Sequence, residues 1–378
     1  MLYNNIKHVI NHFKFEGTYK SVEELLSGNI NSTYLLTYEK PDGSEVRYVL
    51  QKINTVAFKN PEELMKNVQL VINHITATMA RAHLSTDRHI LEFIPVKGPL
   101  TTESPLLHKD ERGEYWRADI FIDNATAYNH ITDPALFYEA GRGFGEFQKY
   151  LSDFPADKLT ETIPDFHNTK KRFYTFVASV AADKAGRVSE LEEEIDFFFD
   201  RRKMMSKIVD MIERGELPLR VTHNDTKLNN VMIDNTTKKA LCVIDLDTVM
   251  PGSALYDYGD AIRFGASTAA EDEPDLSKID VDMELFREFT RGFVSETKDV
   301  LTREEILALP MGVKVITCEL AMRFLTDYID GDVYFKVNRP QHNLIRARAQ
   351  MRLLEKFEEK YDEMVEYVEE IAAEDAEE

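Results

Sequence analysis

The chain has 378 residues, 43% of them hydrophobic, and a formal net charge of −21. Its length exceeds what one small core fills, so two lobes or domains are expected. The charge excludes the basic footprint that DNA or RNA binding needs and disfavours docking on an anionic membrane. The two cysteines, Cys242 and Cys318, sit in apolar stretches. They form no disulfide framework or metal motif, which fits a reducing compartment. The N-terminus carries no apolar run of signal-peptide type. No stretch approaches the roughly 18–20 apolar residues of a membrane helix, so a cytoplasmic protein with no membrane partner is expected.

In chain order, the first third reads as sheet around one long helix. Val22 to Leu26, Tyr34 to Tyr38 and Val46 to Ile53 are rich in strand formers, and Lys40-Pro41-Asp42-Gly43 is a hairpin turn between the last two. Pro61-Glu62-Glu63 starts a helix whose Leu64, Val68, Val71, Ile72, Ile75 and Met79 recur at helical spacing. A further hairpin turns at Asp110-Glu111-Arg112-Gly113 and returns through Tyr115 to Ile122. From about Thr126 long helices take over, including Phe137 to Leu151 and Leu191 to Arg214. Val221-Thr222 reads as a short strand, and Val231 to Asp234 with Leu241 to Ile244 as a small hairpin. The last helix frays into the acidic tail Glu374 to Glu378. Sheet first and helices later predicts an α+β, bilobal molecule. It has a small N-terminal antiparallel sheet lobe with one long helix (residues 1–123) and a larger, mainly helical C-terminal lobe (124–378). The ligand site is expected in the cleft between them.

The chemistry concentrates in His223-Asn224-Asp225-Thr226-Lys227-Leu228-Asn229-Asn230, with Asp245-Leu246-Asp247 twenty residues downstream of Asp225. A His-x-Asp-x-x-x-x-Asn run ahead of a strand-borne Asp is the layout of phosphoryl-transfer enzymes with a protein-kinase-like fold. Asp225 is the candidate base for an attacking hydroxyl, and Lys227 a positive charge beside the transferring phosphoryl. Asn230 and Asp245 offer oxygen ligands for magnesium on ATP. His223, Asp247 and Asp257 are expected to support the loop, Asp257 by accepting backbone amides or capping its helix. A protein kinase is improbable, because no Asp-Phe-Gly or Ala-Pro-Glu segment is present.

The loop Ser27 to Thr33 carries one glycine and several small polar residues. It is the candidate phosphate cover, with Gly28, Asn29 and Thr33 toward the nucleotide and Asn31 toward the substrate. Gly141-Arg142-Gly143-Phe144-Gly145 lies within a helical pattern and reads as close helix packing. On the third strand, alternation puts Gln51 and Lys52 on opposite faces. Either could meet the phosphates.

The catalytic run with Ile244 to Asp247 resembles the aminoglycoside phosphotransferase superfamily, which includes choline and homoserine kinases, and most closely its N-acetylhexosamine 1-kinases. Gly28 to Leu35, Arg220 to Thr222, Asp247 to Ser253, Ile262 to Thr268 and Met322 to Leu325 carry the same likeness. It spans residues from about 10 to 360, and Asn29 stands where the close relatives have histidine. The resemblance implies ATP- and magnesium-dependent phosphorylation of the anomeric hydroxyl of N-acetylglucosamine or N-acetylgalactosamine. It implies a small-molecule sugar as partner, recognised by Phe264, Arg323 and Tyr334, and a monomer is expected. Arg323, amid Met322, Phe324 and Leu325, independently requires an acceptor partner or a ligand; a salt bridge to Asp327 is the structural alternative. Two other readings stay open: a kinase of the same fold acting on another small alcohol, and a non-catalytic nucleotide-binding protein. Intact Asp225, Asn230 and Asp245 weigh against the second.

Overall fold

The computed structural model describes residues 2–25 and 30–374. Helix α1 (Leu2–Val9) precedes a five-stranded sheet of β1 (Thr18–Leu25), β2 (Ser32–Glu39), β3 (Glu45–Lys52), β4 (His108–Lys109) and β5 (Tyr115–Ile120). Its order is β1-β2-β3-β5-β4, antiparallel throughout. The side-chain period of two sorts its faces. Tyr34, Leu36, Tyr38, Tyr48, Leu50, Trp116 and Ala118 pack on one face against Val9, Ile10 and Phe13. Gln51 and Arg117, paired in register, turn to the other face, where Arg117 reaches Met65.

Between β3 and β4 runs helix α2 (Pro61–Arg81). Asn60 caps it by accepting from the Glu63 amide, with proline at its start and Glu62 and Glu63 in its first turn. Its buried Leu64, Met65, Val68, Val71, Ile75 and Met79 share one core with Val221, Met232, Cys242, Leu246 and Val249. The long helix therefore seats the sheet on the segments that flank the His223–Asn230 run.

The rest of the chain is mainly helical. Helices α3 (Pro134–Tyr150), α4 (Thr169–Ala182), α5 (Glu192–Met205) and α6 (Lys207–Glu213) come first. After them come α7 (Ala254–Gly265), α8 (Met283–Thr297), α9 (Arg303–Leu307), α10 (Leu309–Asp330), α11 (His342–Glu359) and α12 (Tyr361–Glu374). Five short strands are set among them: β6 (Ala125–Thr126), β7 (Arg220–Thr222), β8 (Val231–Asp234), β9 (Ala240–Val243) and β10 (Met250–Gly252). They form two small sheets, β6-β8-β9 and β10-β7. The architecture is the α+β, protein-kinase-like arrangement that the sheet-then-helix order predicts. Among the described residues no helix is long and apolar enough to cross a membrane.

Two local differences from expectation have physical causes. The helix expected over 191–214 divides at Ser206, whose hydroxyl bonds Asp210 and the Lys203 carbonyl and tightens the turn. The strand expected to run through Ile244 ends at Val243, so Asp245 stands beyond it in a left-handed conformation, φ +59°. Leu26 and the tail residues after Glu374 lie outside the described residues.

The glycines of α3 serve helix packing. A Cβ on Gly141 would lie 2.3 Å from the Phe289 carbonyl oxygen of α8, and one on Gly145 2.8 Å from that of Phe293. Gly141→Ala should therefore lower stability by about 1–3 kcal/mol through overpacking, read as a lower urea midpoint at unchanged m-value. An unchanged midpoint would show that α3 and α8 separate freely.

Candidate active site

Strand β7 delivers the chain into the loop 223–230, and one buried carboxylate fixes its start. Asp257 in the first turn of α7 accepts the amides of His223 (2.8 Å) and Asn224 (2.8 Å), and Gln148 donates to it at 2.8 Å. Ser253, not Asp257, caps α7. Asn224 is left-handed, φ +64°, and its side-chain amide donates to the Thr248 carbonyl at 2.8 Å. Thr248 returns a hydroxyl bond to the His223 carbonyl, 2.6 Å. The His223 ring is fully used: Nε2 donates to the Ile244 carbonyl (2.8 Å), and Nδ1 accepts the Asp225 amide (3.3 Å). The catalytic run and the 244–248 segment are thus one hydrogen-bonded body.

On that body sits Asp225, its side chain 25% exposed and both its oxygens oriented. Lys227 Nζ lies 2.7 Å from Oδ1, and Asn230 Nδ2 lies 3.2 Å from Oδ2 and 2.7 Å from the Asp225 carbonyl. Burial alone would depress the Lys227 ammonium, but Asp225, Asp260 and Glu271 outweigh it and raise it to about 12. Lys227 is therefore a permanent cation beside the carboxylate. Asn230 spends its NH2 on Asp225, which leaves its carbonyl oxygen as the group for a cation. Asp245 is exposed, and its carboxyl is pushed up by desolvation and by the charges of Asp247 and Asp225. Arg117 offsets part of this crowding of carboxylates, and their hard oxygen donors suit magnesium. Among the described residues no three acids, histidines or cysteines form a metal cluster. The other ligands would be phosphates and water, the usual magnesium pattern.

Asp247, on the same body, faces the sheet. It is buried, ion-paired through Oδ1 with Arg117 and bonded through Oδ2 to the Asn31 amide at 2.7 Å. Arg117 also donates twice to Gln51 Oε1, at 3.0 and 2.9 Å. Gln51 shares this inner face, and its amide points to Thr33 Oγ1 at 3.4 Å. Lys52 takes the other face and pairs with Glu114 at 3.0 Å. The Asn31 side-chain oxygen accepts the Asn54 amide, so both of its polar atoms are engaged within the protein. Gly28 and Asn29 lie outside the described residues.

The helical side holds a second cluster. Glu319 of α10 is buried, 2.8 Å from His167 Nδ1 and 3.8–3.9 Å from Arg323 and Arg172. Burial raises its carboxyl, but His167, Arg323 and Arg172 together hold it below the usual range. The Arg323 guanidinium lies 5.9 Å from the Tyr334 ring and 5.3 Å from that of Phe166. Asp327 is no partner of Arg323. It accepts the amides of Val333, Tyr334 and Phe335 and so anchors the loop that presents Tyr334, which is 65% exposed. A pocket lined by Phe166, His167, Asn224 and Tyr256 adjoins this cluster. Arg323 and Tyr334 therefore come together. Phe264 is half-buried beside Arg263, and among the described residues no ring or ion contact links it to them.

Sequence reasoning missed Arg117, His167 and Glu319. For Arg117 a signal existed: Arg117 and Asp119 alternate with Trp116 and Ala118, which marks charged groups on the inner face of an interior strand.

A model of the phosphotransferase enzyme family matches residues 21–282. Among solved structures, a microcompartment-associated aminopropanol kinase superposes with a TM-score of 0.61 at 13% identity, over 96% of this chain and 98% of that one. A Plasmodium vivax ethanolamine kinase gives 0.54 at 13% identity, over 87% and 82%. An amicoumacin kinase in complex with AMP-PNP, Ca2+ and Ami gives 0.55 at 11% identity, over 94% and 93%. At these identities the likeness is one of fold.

Asp119, buried two residues from Arg117, has its carboxyl pushed up to about 7 by burial and by Asp247, against the pull of Arg117. Its unfolded value is near 3.8. Between the two values the folded state holds the extra proton, so stability falls as pH rises through that window. Asp119→Asn should therefore stabilise the ligand-free protein at pH 8 relative to pH 5, by on the order of 1–4 kcal/mol. Urea titrations at both pH values check this, and equal effects at the two would contradict it.

Proposed function

The chain belongs to the phosphotransferase enzyme family, and on that premise we propose that it is an ATP- and magnesium-dependent kinase of N-acetylhexosamines. It transfers phosphate to the anomeric hydroxyl of N-acetylglucosamine or N-acetylgalactosamine. The observation that carries the reading is Asp225, oriented through one oxygen by Lys227 and through the other by Asn230. In this reading residues 1–123 are the nucleotide lobe and 124–378 the catalytic and sugar-binding lobe of a cytoplasmic monomer.

The chemistry follows from the residues in place. The Asp225 carboxylate takes the proton of the attacking hydroxyl, so that an alkoxide does not have to form free. Lys227 keeps a positive charge where negative charge gathers in transfer. Magnesium, held by Asn230 and Asp245, would neutralise charge on the ATP phosphates. The AMP-PNP and Ca2+ bound to the amicoumacin kinase of like fold support a nucleotide and a divalent cation here. Arg323 and Tyr334 supply a donor and a flat face to the pyranose, with Phe264 as a further aromatic wall.

A rival reading takes an amino alcohol as acceptor, favoured by the names of the aminopropanol and ethanolamine kinases of like fold. A cationic acceptor needs uncompensated acid near the base. Here Glu319 is flanked by Arg172 and Arg323 as well as His167, while Asp260 and Glu271 share Arg263. Beside Arg323 the cations outnumber the acid, which supports a neutral acceptor there.

ADP release should be stimulated by the two N-acetylhexosamines and not by ethanolamine, and Arg323→Ala should raise the KM for the sugar more than it lowers kcat. Stimulation by ethanolamine alone would transfer the reading to the rival. Asp225→Asn should lower turnover by about 10²–10⁴-fold with ATP-analogue affinity kept. Undiminished turnover would remove the base assignment.

A further inference from the structure

On the inner face of strand β3 the one basic residue, Arg47, is held in an ion pair with Asp123. Gln51 stands there, while Lys52 turns to the opposite face and pairs with Glu114. A polyanion entering the cleft still requires fixed positive charge from the sheet. The neighbouring strand provides it. Arg117 is the register partner of Gln51 on β5, and its guanidinium comes across to Gln51 Oε1 with two N–H groups, at 3.0 and 2.9 Å. The third edge of the fork meets Asp247, in the segment that carries Asp245. We propose that Arg117 is the sheet-borne cation that holds the triphosphate of the nucleotide, with Gln51 as its orienting partner, and so replaces a basic residue on β3.

Three observations support this. The guanidinium is buried and fully oriented, so little side-chain freedom is lost when a ligand arrives. One edge of the fork meets Asp247 Oδ1 in a buried ion pair, so it already faces an anionic oxygen. A phosphate oxygen can join that carboxylate oxygen on the fork without breaking the pair. Asp119, Asp245 and Asp247 surround Arg117, so the cleft holds more acid than base until a divalent cation enters with the nucleotide. Arg117 would then read the phosphates while Asp245 and Asn230 face the cation.

This inference rests on the kinase reading, and calorimetry without any acceptor separates the two. The titrants are adenosine, AMP, ADP and an unhydrolysable ATP analogue with magnesium. Arg117→Gln should cost about 10–100-fold in affinity for ADP and the ATP analogue, the size of a lost charge-assisted hydrogen-bond pair, and leave adenosine within about threefold. The double variant Arg117→Gln, Gln51→Lys returns a cation to the same face from β3 and should recover most of the lost affinity. Thermal melting reports folding, and if the single variant unfolds, the folded double variant and Arg117→Lys carry the test. An equal loss for adenosine and ADP would assign Arg117 a purely structural role. No loss for ADP, or a folded double variant that binds adenosine but not ADP, would also overturn the proposal. Failure of the unsubstituted protein to bind any adenine nucleotide would remove the kinase reading and this inference with it.

Discussion

The architecture turns on a buried charge pair between the sheet and the helical lobe. Arg117 on β5 meets Asp247, and Asn31 beside β2 takes the other carboxylate oxygen. Both partners are buried, so each has been taken out of water and neither can be removed alone without leaving an unpaired charge, a loss of about 3–5 kcal/mol. A hydrophobic contact of the same size would be cheaper to form. It would not fix direction, and direction is what this joint supplies: it holds the inner face of the sheet at a set height over the segment 245–248. The Leu64-to-Met79 face of α2 adds non-directional burial on the same seam.

Below that joint, the site is built by delegation. Asp257, Gln148 and Thr248 hold backbone, and the loop they hold presents Asp225, Lys227 and Asn230 together. The tight left-handed turns at Asn224 and Asp245 are tolerated because the surrounding bonds over-determine them. The result is a carboxylate whose two oxygens are oriented before any ligand arrives, and preorganisation of this kind lowers a barrier without reorganisation at the moment of reaction.

Much of this was legible in the sequence because the signals are local. The eight-residue run from His223 to Asn230 lies within a few turns of chain. The hairpin turns at Lys40–Gly43 and Asp110–Gly113 are single tetrapeptides, and the α2 stripe is one helical face. The glycines of α3 read correctly as packing, since Gly141 and Gly145 meet the α8 backbone. What stayed hidden depends on pairs far apart in sequence. Arg117 and Asp247 are brought together by sheet register and by α2, and no spacing rule joins them. The Glu319, His167 and Arg172 cluster joins α10 to the start of α4 in the same way. Arg323 was singled out as a cation in need of a partner and is half-buried; that partner is Glu319, because Asp327 is committed to the backbone of the 333–335 loop. The split at Ser206 was missed for a smaller reason: a serine hydroxyl that bonds its own turn leaves the hydrophobic period intact.

The most direct measurement is phosphorus and proton NMR of the product formed from ATP, magnesium and a mixture of N-acetylglucosamine, N-acetylgalactosamine, galactose, choline and homoserine. The account predicts one new phosphate resonance, coupled to the anomeric proton of an N-acetylhexosamine. Phosphate on choline or homoserine, or no transfer to any acceptor by a protein that binds ATP, would contradict it.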